Sequence, residues 1–324
     1  MYCAAMGDLG GWPLLWWLFG SMCIPFTIPW LIFKLYRHHR LKAQLRGKVV
    51  LITGASSGLG EALAHVFYQA GCRVILAARR EAQLERVKKE LLSSRLDKDI
   101  VTHPPVVMVL DLIKIDEIPS CLEKVLKIVG HVDILINNAG ISYRGEVLTT
   151  NIKVDTEMMM INYIAQVALI KALLPSMVLR KSGQIVAISS VQGRIAIPYR
   201  SAYTASKHAL QAFCDTLRAE VAHHNVSVTV VSPGYISTNL SLNALTGTGE
   251  KYGVVDETTA KGYEPLDVAK RILVATMKRQ SELIVSDSTP KIAMFLRTLL
   301  PSVYFYLMKN RALRLRQQAL LRAK

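Results

Sequence analysis

Between residues 47 and 290, apolar and polar positions alternate between two rhythms. Short, nearly unbroken apolar runs rich in Val, Ile and Leu occupy 49–53, 73–78, 106–110, 132–136, 184–189, 226–231 and 283–285. Runs of that kind predict strands buried on both faces, the condition of a parallel sheet. Longer stretches between them, at 59–70, 81–95, 115–129, 153–179, 201–223 and 265–278, predict helices, the last opening on Pro265, whose fixed φ suits a first turn. Strand-helix alternation with right-handed crossovers predicts an α/β fold, a doubly wound parallel sheet of seven strands with helices on both faces. Ligands of such sheets collect at the carboxyl ends of the strands. No repeat or low-complexity linker interrupts the alternation, so 47–290 reads as one domain, with 1–46 before it and 291–324 after it.

The pattern changes at both ends. Residues 14–33 are twenty positions without a formal charge, and a helix of that length spans roughly 30 Å, one hydrocarbon core. Trp12, Trp16, Trp17 and Trp30, the only tryptophans, lie near its two ends, where indoles prefer to sit. Six cations follow in 34–48; a cleaved signal carries its charges in front, so a retained anchor is expected. The endoplasmic reticulum membrane is the expected site, the peroxisomal membrane the alternative, and the side of the membrane stays open. Residues 292–308 are apolar but interrupted by Arg297 and Pro301, and a basic stretch follows. That suits either a membrane-interface segment or a helix packed on the domain or on the second subunit of a homodimer.

Composition narrows the class. At 324 residues and 51% hydrophobic, the chain is neither a disulfide mini-protein nor disordered. Its five cysteines are scattered, without CxxC pairs, so no disulfide framework and no metal site is expected. The net charge of +16 is concentrated at the ends: 291–324 holds eight cations and no acid, whereas 49–290 holds 26 basic and 23 acidic residues. A nucleic-acid enzyme would carry its positive potential across the folded domain; charge beside the most apolar segments fits a membrane surface instead, and no nucleic-acid partner is expected.

Strand 49–53 runs into Thr53-Gly54-Ala55-Ser56-Ser57-Gly58-Leu59-Gly60 and then a helix. Glycines let the backbone approach a pyrophosphate, and the helix start offers free N–H groups. This is the dinucleotide turn of a Rossmann-type fold. The second strand ends Ala77-Ala78-Arg79-Arg80, cations standing where an acid would select a free ribose hydroxyl. NADP(H) is therefore expected over NAD(H), with Arg79 as the phosphate contact. Asp111, after the third strand, is a candidate for an adenine contact or a loop cap, and Asn137-Asn138-Ala139-Gly140 follows the fourth strand along the cofactor's path. Tyr203 and Lys207 are four residues apart on one helix and share a face. An ammonium beside a phenol favours the phenolate, which suits the tyrosine to proton transfer at a carbonyl or alcohol oxygen. Ser190, ending its strand, can hold the same oxygen.

Taken in this order, TGASSGLG, NNAG, a serine thirteen positions before the tyrosine, YTASK and Pro233-Gly234 resemble the short-chain dehydrogenase/reductase family over about 47–290. The resemblance implies Tyr203 as catalytic acid/base, Lys207 as its pKa-lowering partner and ribose ligand, Ser190 as carbonyl-orienting residue and Asn162 as holder of a relay water. It further implies Gly54, Ser56, Ser57, Gly58, Leu59, Gly60, Asn138, Ala139 and Gly140 in the cofactor site. Pro233, Gly234 and Thr238 match the stretch near the carboxamide and pyrophosphate.

A glycine-punctuated excursion, 237–264, follows Pro233-Gly234 and reads as a mobile flap. Its apolar residues, with Ile195, Ile197, Pro198 and Tyr199 near the serine, predict a lipophilic substrate: a lipid ketone, retinoid, steroid or acyl- or alkyl-dihydroxyacetone phosphate. Arg194, Arg200, Lys251 and Lys261 are candidates to meet a phosphate in the last case. The rival reading is a nucleotide-binding scaffold on the same fold, with partners docking on the basic tail; the intact Ser190, Tyr203 and Lys207 weigh against it.

Overall fold

A computed structural model of the chain describes residues 27, 30, 32, 40, 41, 43–94, 103–254 and 256–322. It divides into two compact units, 1–44 and 45–324. In the first, the expected anchor 14–33 lies, apart from isolated positions, outside the described residues.

The second unit is built on seven strands: β1 (Val49–Thr53), β2 (Arg73–Ala78), β3 (Val106–Val109), β4 (Ile134–Asn137), β5 (Gly183–Ile188), β6 (Val226–Pro233) and β7 (Glu282–Val285). They form one sheet in the order β3-β2-β1-β4-β5-β6-β7, parallel throughout, with Leu51 opposite Ile75 on one side and Leu135 on the other. The order reverses between β1 and β4, which opens the crevice where a ligand binds. All of β1 is buried, as its VVLIT run requires.

Helices α1 (Gly58–Gln69), α2 (Glu81–Ser93) and α3 (Ile118–Val129) cross between the first four strands. The predicted helix over 153–179 is continuous in path but changes pitch: α4 (Ile152–Met159), a π segment (Met160–Ile164) and α5 (Ala165–Leu179). This Ile152–Leu179 run is apolar and long enough to cross a membrane, but Leu169, Ile170, Leu173 and Met177 pack it into the core beside Leu135 and Ile185. Helix α6 (Ser201–Glu220) precedes β6; a short α7 (Glu257–Ala260) lies in the 237–264 excursion, and α8 (Pro265–Met277) leads to β7. The tail forms two helices, α9 (Ser288–Leu299) and α10 (Pro301–Arg322), broken at Pro301. Tyr304 of α10 is buried and its hydroxyl donates to the Ala196 carbonyl, so the tail packs on the domain while leaving other faces exposed.

Candidate active site

The loops after β1 to β6 open into one cavity of about 850 Å³. At its floor the chain turns through Gly54 at φ +68° and Gly58 at φ +59°, conformations that a side chain resists. A Cβ on Gly60 would lie 2.1 Å from the Gly54 carbonyl oxygen, so the loop folds against the start of α1 with room only for hydrogen. Ser57, the N-cap of α1, makes no side-chain cap bond, and the first-turn residues Gly58, Leu59 and Gly60 line the cavity. Arg79 and Arg80 both stand on this wall. Arg80 reaches the loop, its Nη2 donating to Ser56 Oγ at 3.1 Å and Ser57 Oγ at 3.2 Å. Asp111 also lines the cavity and caps its own turn, accepting the Ile113 N–H at 3.2 Å.

The NNAG segment is stitched to β1. Thr53 Oγ1 accepts the N–H groups of Asn138 (2.9 Å) and Ala139 (3.0 Å), and Asn138 Nδ2 donates back to the Thr53 carbonyl at 2.9 Å. Asn162 sits fully buried in the π segment. Its Oδ1 accepts the Ile141 N–H at 2.9 Å, while Nδ2 donates to the Ile141 carbonyl and to Ser206 Oγ, both at 3.0 Å. Ser206 donates in turn to the Tyr203 carbonyl at 2.8 Å. Its side chain therefore ties the β4 loop to α6; a π segment displaces backbone carbonyls from the regular ladder, a recurrent feature of functional sites.

Ser190, Tyr203 and Lys207 all line the same cavity. Lys207 Nζ lies 5.8 Å from the Tyr203 ring centroid and donates to the Ile188 carbonyl at 2.9 Å. Ser190 Oγ accepts the Gln192 N–H at 3.1 Å. Both titratable groups are buried, at 8% and 4% exposed, and burial dominates their protonation. It pushes the Tyr203 phenol up, against a hydrogen bond with Ser190 and the charges of Arg144 and Arg200. It pulls the Lys207 ammonium down to about 8. The charges of Arg144 and Arg200 also favour the phenolate, which spacing along one helix could not reveal.

Those arginines share a carboxylate with the excursion. Arg144 Nε and Nη2 donate to Asp256 Oδ2 at 2.9 and 2.8 Å, Arg200 Nη2 reaches it at 3.4 Å and Ser241 Oγ at 3.0 Å. Burial would raise the Asp256 carboxyl, but the Arg144 hydrogen bond and charge hold it below the usual carboxylate range. Backbone bonds from Leu245 to the Ser142 carbonyl and from Arg144 to the Leu245 carbonyl, each 2.8 Å, close the excursion over the β4 loop. Of the other cations singled out, Arg194 pairs with Glu282 and Lys261 with Glu257, while Lys251 lines the cavity. Ile195 and Ile197 line it too, but Pro198 and Tyr199 line a smaller neighbouring groove. Thr238 packs against Gly58, and Pro233, the last residue of β6, and Gly234 after it stand on the cavity wall. Met308 and Arg311, from α10, complete the lining.

The family model for short chain dehydrogenases matches residues 48–247, and the chain belongs to the short-chain dehydrogenase/reductase family, a family of oxidoreductases. Within it, the chain is 55% identical over 316 residues to a Drosophila melanogaster dehydrogenase/reductase SDR family protein 7-like, covering 97% of this chain and 95% of that one. It is 51% identical over 281 residues to Bos taurus dehydrogenase/reductase SDR family member 7B, covering 87% and 86%. Among solved structures, an alcohol dehydrogenase from Thermococcus sibiricus complexed with 5-hydroxy-NADP superposes with a TM-score of 0.62 at 26% identity, covering 74% of this chain and 96% of that one.

Proposed function

We propose that this oxidoreductase interconverts a carbonyl and an alcohol on a lipophilic substrate with NADP(H), held at a membrane through its N-terminal segment. The reaction class is that of an alcohol dehydrogenase acting on CH–OH with a nicotinamide acceptor. The observation that carries the reading is a single cavity joining the glycine loop at one end to Ser190, Tyr203 and Lys207 further along it.

The residues present fit the cofactor. The glycine loop and the start of α1 line the cavity, so a pyrophosphate would lie against the α1 N–H groups, and Arg79 and Arg80 would meet a ribose 2′-phosphate beside Ser56. The NADP named for the Thermococcus sibiricus structure supports the same choice. Bound there, the nicotinamide supplies or accepts the hydride. Ser190 orients the substrate oxygen, and Tyr203 gives it a proton in reduction or takes one in oxidation. Lys207, near neutrality at its lowered pKa, is poised to bind ribose hydroxyls and to pass the proton onward, with Asn162 holding the β4 loop against α6 and the relay water the family uses. Ile141, Ile195, Ile197, Leu245 and Met308 give the remaining wall its oily character, which supports a lipid substrate. Membrane attachment, at the endoplasmic reticulum or alternatively at peroxisomes, rests on 14–33 and the cations behind it.

The test is NADPH consumption by the full chain over a panel of lipid carbonyls. Tyr203→Phe should lower turnover by about 10³-fold, the scale of general acid-base catalysis, with cofactor binding retained. Equal inertness of wild type and variant over the panel, with NADPH bound by both, would favour a nucleotide-binding scaffold.

A further inference from the structure

Helices α9 and α10 each carry two different faces. On α10, Tyr304, Met308 and Arg311 recur at i, i+4 and i+7: Tyr304 is buried against the domain, and Met308 and Arg311 line the cavity. The opposite face exposes Tyr306 and Leu313, with Val303 and Phe305 exposed on its flanks. On α9, Thr289, Pro290 and Ala293 line the cavity, while Ile292, Phe295 and Leu299, at i, i+3 and i+7, are each more than half exposed. Both helices therefore close the pocket with one side and present large apolar side chains to solvent with the other. Large apolar side chains exposed together on the outside of two adjoining helices point to an interaction site.

Charge identifies the occupant. Residues 291–324 carry eight cations and no acid, and Lys309, Arg314 and Arg316 rise from the exposed part of α10 among those apolar positions. A second copy laid on this face in two-fold fashion would bring its own unbalanced cations against the first. Anionic phospholipid instead offers acyl chains to the Phe, Tyr and Leu side chains and phosphates to the Lys and Arg.

We propose that the α9–α10 hairpin is an interfacial lid: its outer face docks on an anionic lipid bilayer while its inner face closes the cavity. The cavity wall and the bilayer surface are then two sides of the same pair of helices, so a lipid substrate passes between them without crossing water. Its residues belong to 288–322 and not to the expected anchor at 14–33, and its readout does not depend on turnover.

The experiment uses the full chain with Cys3→Ser, Cys23→Ser and Cys121→Ser. The Cys72 and Cys214 thiols, buried and pushed up to about 12, stay unreactive. An environment-sensitive fluorophore is attached at Tyr306→Cys or Phe295→Cys, and at Ile128→Cys on α3 as an exposed control. The labelled chains are bound to phosphatidylcholine vesicles with or without 30% phosphatidylserine. The expected result is blue-shifted emission at 306 and 295, suppressed by bilayer-embedded quenchers, on the phosphatidylserine vesicles and not at 128. Lys309→Gln, Arg314→Gln and Arg316→Gln should each lower the docked-to-undocked ratio by about fivefold with NADPH binding unchanged. Emission at 306 and 295 that stays solvent-like on vesicles carrying the chain would overturn the proposal while leaving the anchor and the catalytic reading intact. A blue shift that grows with protein concentration in detergent would overturn it in favour of a second copy.

Discussion

Burial acts on Tyr203 and Lys207 in opposite directions, raising the phenol and lowering the ammonium. For Lys207 the consequence is measurable. Its pKa falls from 10.5 to about 8 on folding, so between those values the unfolded chain binds the extra proton and stability rises with pH. Below the folded value the penalty of burying the charge is complete, about 3 kcal/mol on this scale. Denaturant titrations of the chain from pH 7 to 10.5 should show that rise, and Lys207→Met should flatten it. At the other end of the cavity, Arg80 touches Ser56 and Ser57 while Arg79 shares the wall. Arg80→Asp should weaken NADPH by about 100-fold, near the 3 kcal/mol scale of a charge-assisted pair, and NADH far less; equal losses measured by calorimetry would count against a 2′-phosphate site. The arginine pair at 79 and 80 was readable from the chain because a strand end fixes where its next two residues stand. Which of them bends back onto the glycine loop depends on a contact 24 residues away.

The excursion between β6 and α8 is held down by one carboxylate between two arginines. Asp256 stands opposite Arg144 and Arg200 in a largely buried cluster, and removing it leaves two like charges facing each other. Asp256→Ala should therefore loosen the excursion, raising tryptic cleavage at Lys251 and Lys261 about tenfold and increasing KM more than it lowers kcat. The excursion was legible here from its glycines and length. Its latch was not, because Arg144, Arg200 and Asp256 are far apart in sequence and each alone resembles an ordinary surface charge. The π segment at Met160–Ile164 was equally hidden: its apolar period continues that of the flanking helices, and only the Asn162 bonds to Ile141 and Ser206 show why the pitch changes there.

For the molecule as a whole, the tail belongs to the same compact unit as the sheet and supplies part of the cavity wall. Tyr304, 1% exposed and bonded to Ala196, fastens it, with the Tyr199 hydroxyl donating to the Ala312 carbonyl at 3.4 Å. Tyr304→Ala should cost about 3 kcal/mol of tail docking, visible as faster amide exchange across 288–316 and a higher KM for the carbonyl substrate, with NADPH affinity unchanged. An unchanged KM would separate the tail from substrate binding. From the chain alone, the alternation of unbroken and amphipathic runs determined the seven-stranded parallel sheet, since a strand buried on both faces admits few polar residues. The glycine loop, Ser190, Tyr203 and Lys207 were legible because each sits at a fixed offset from a strand end or along one helix. What only the folded molecule decided were meetings between segments remote in sequence: Arg144 and Arg200 on Asp256, Arg80 on Ser56, and Met308 in the wall of a cavity begun at Gly54. Such contacts leave no local period, because they arise from where the sheet's order and its crossovers carry each loop.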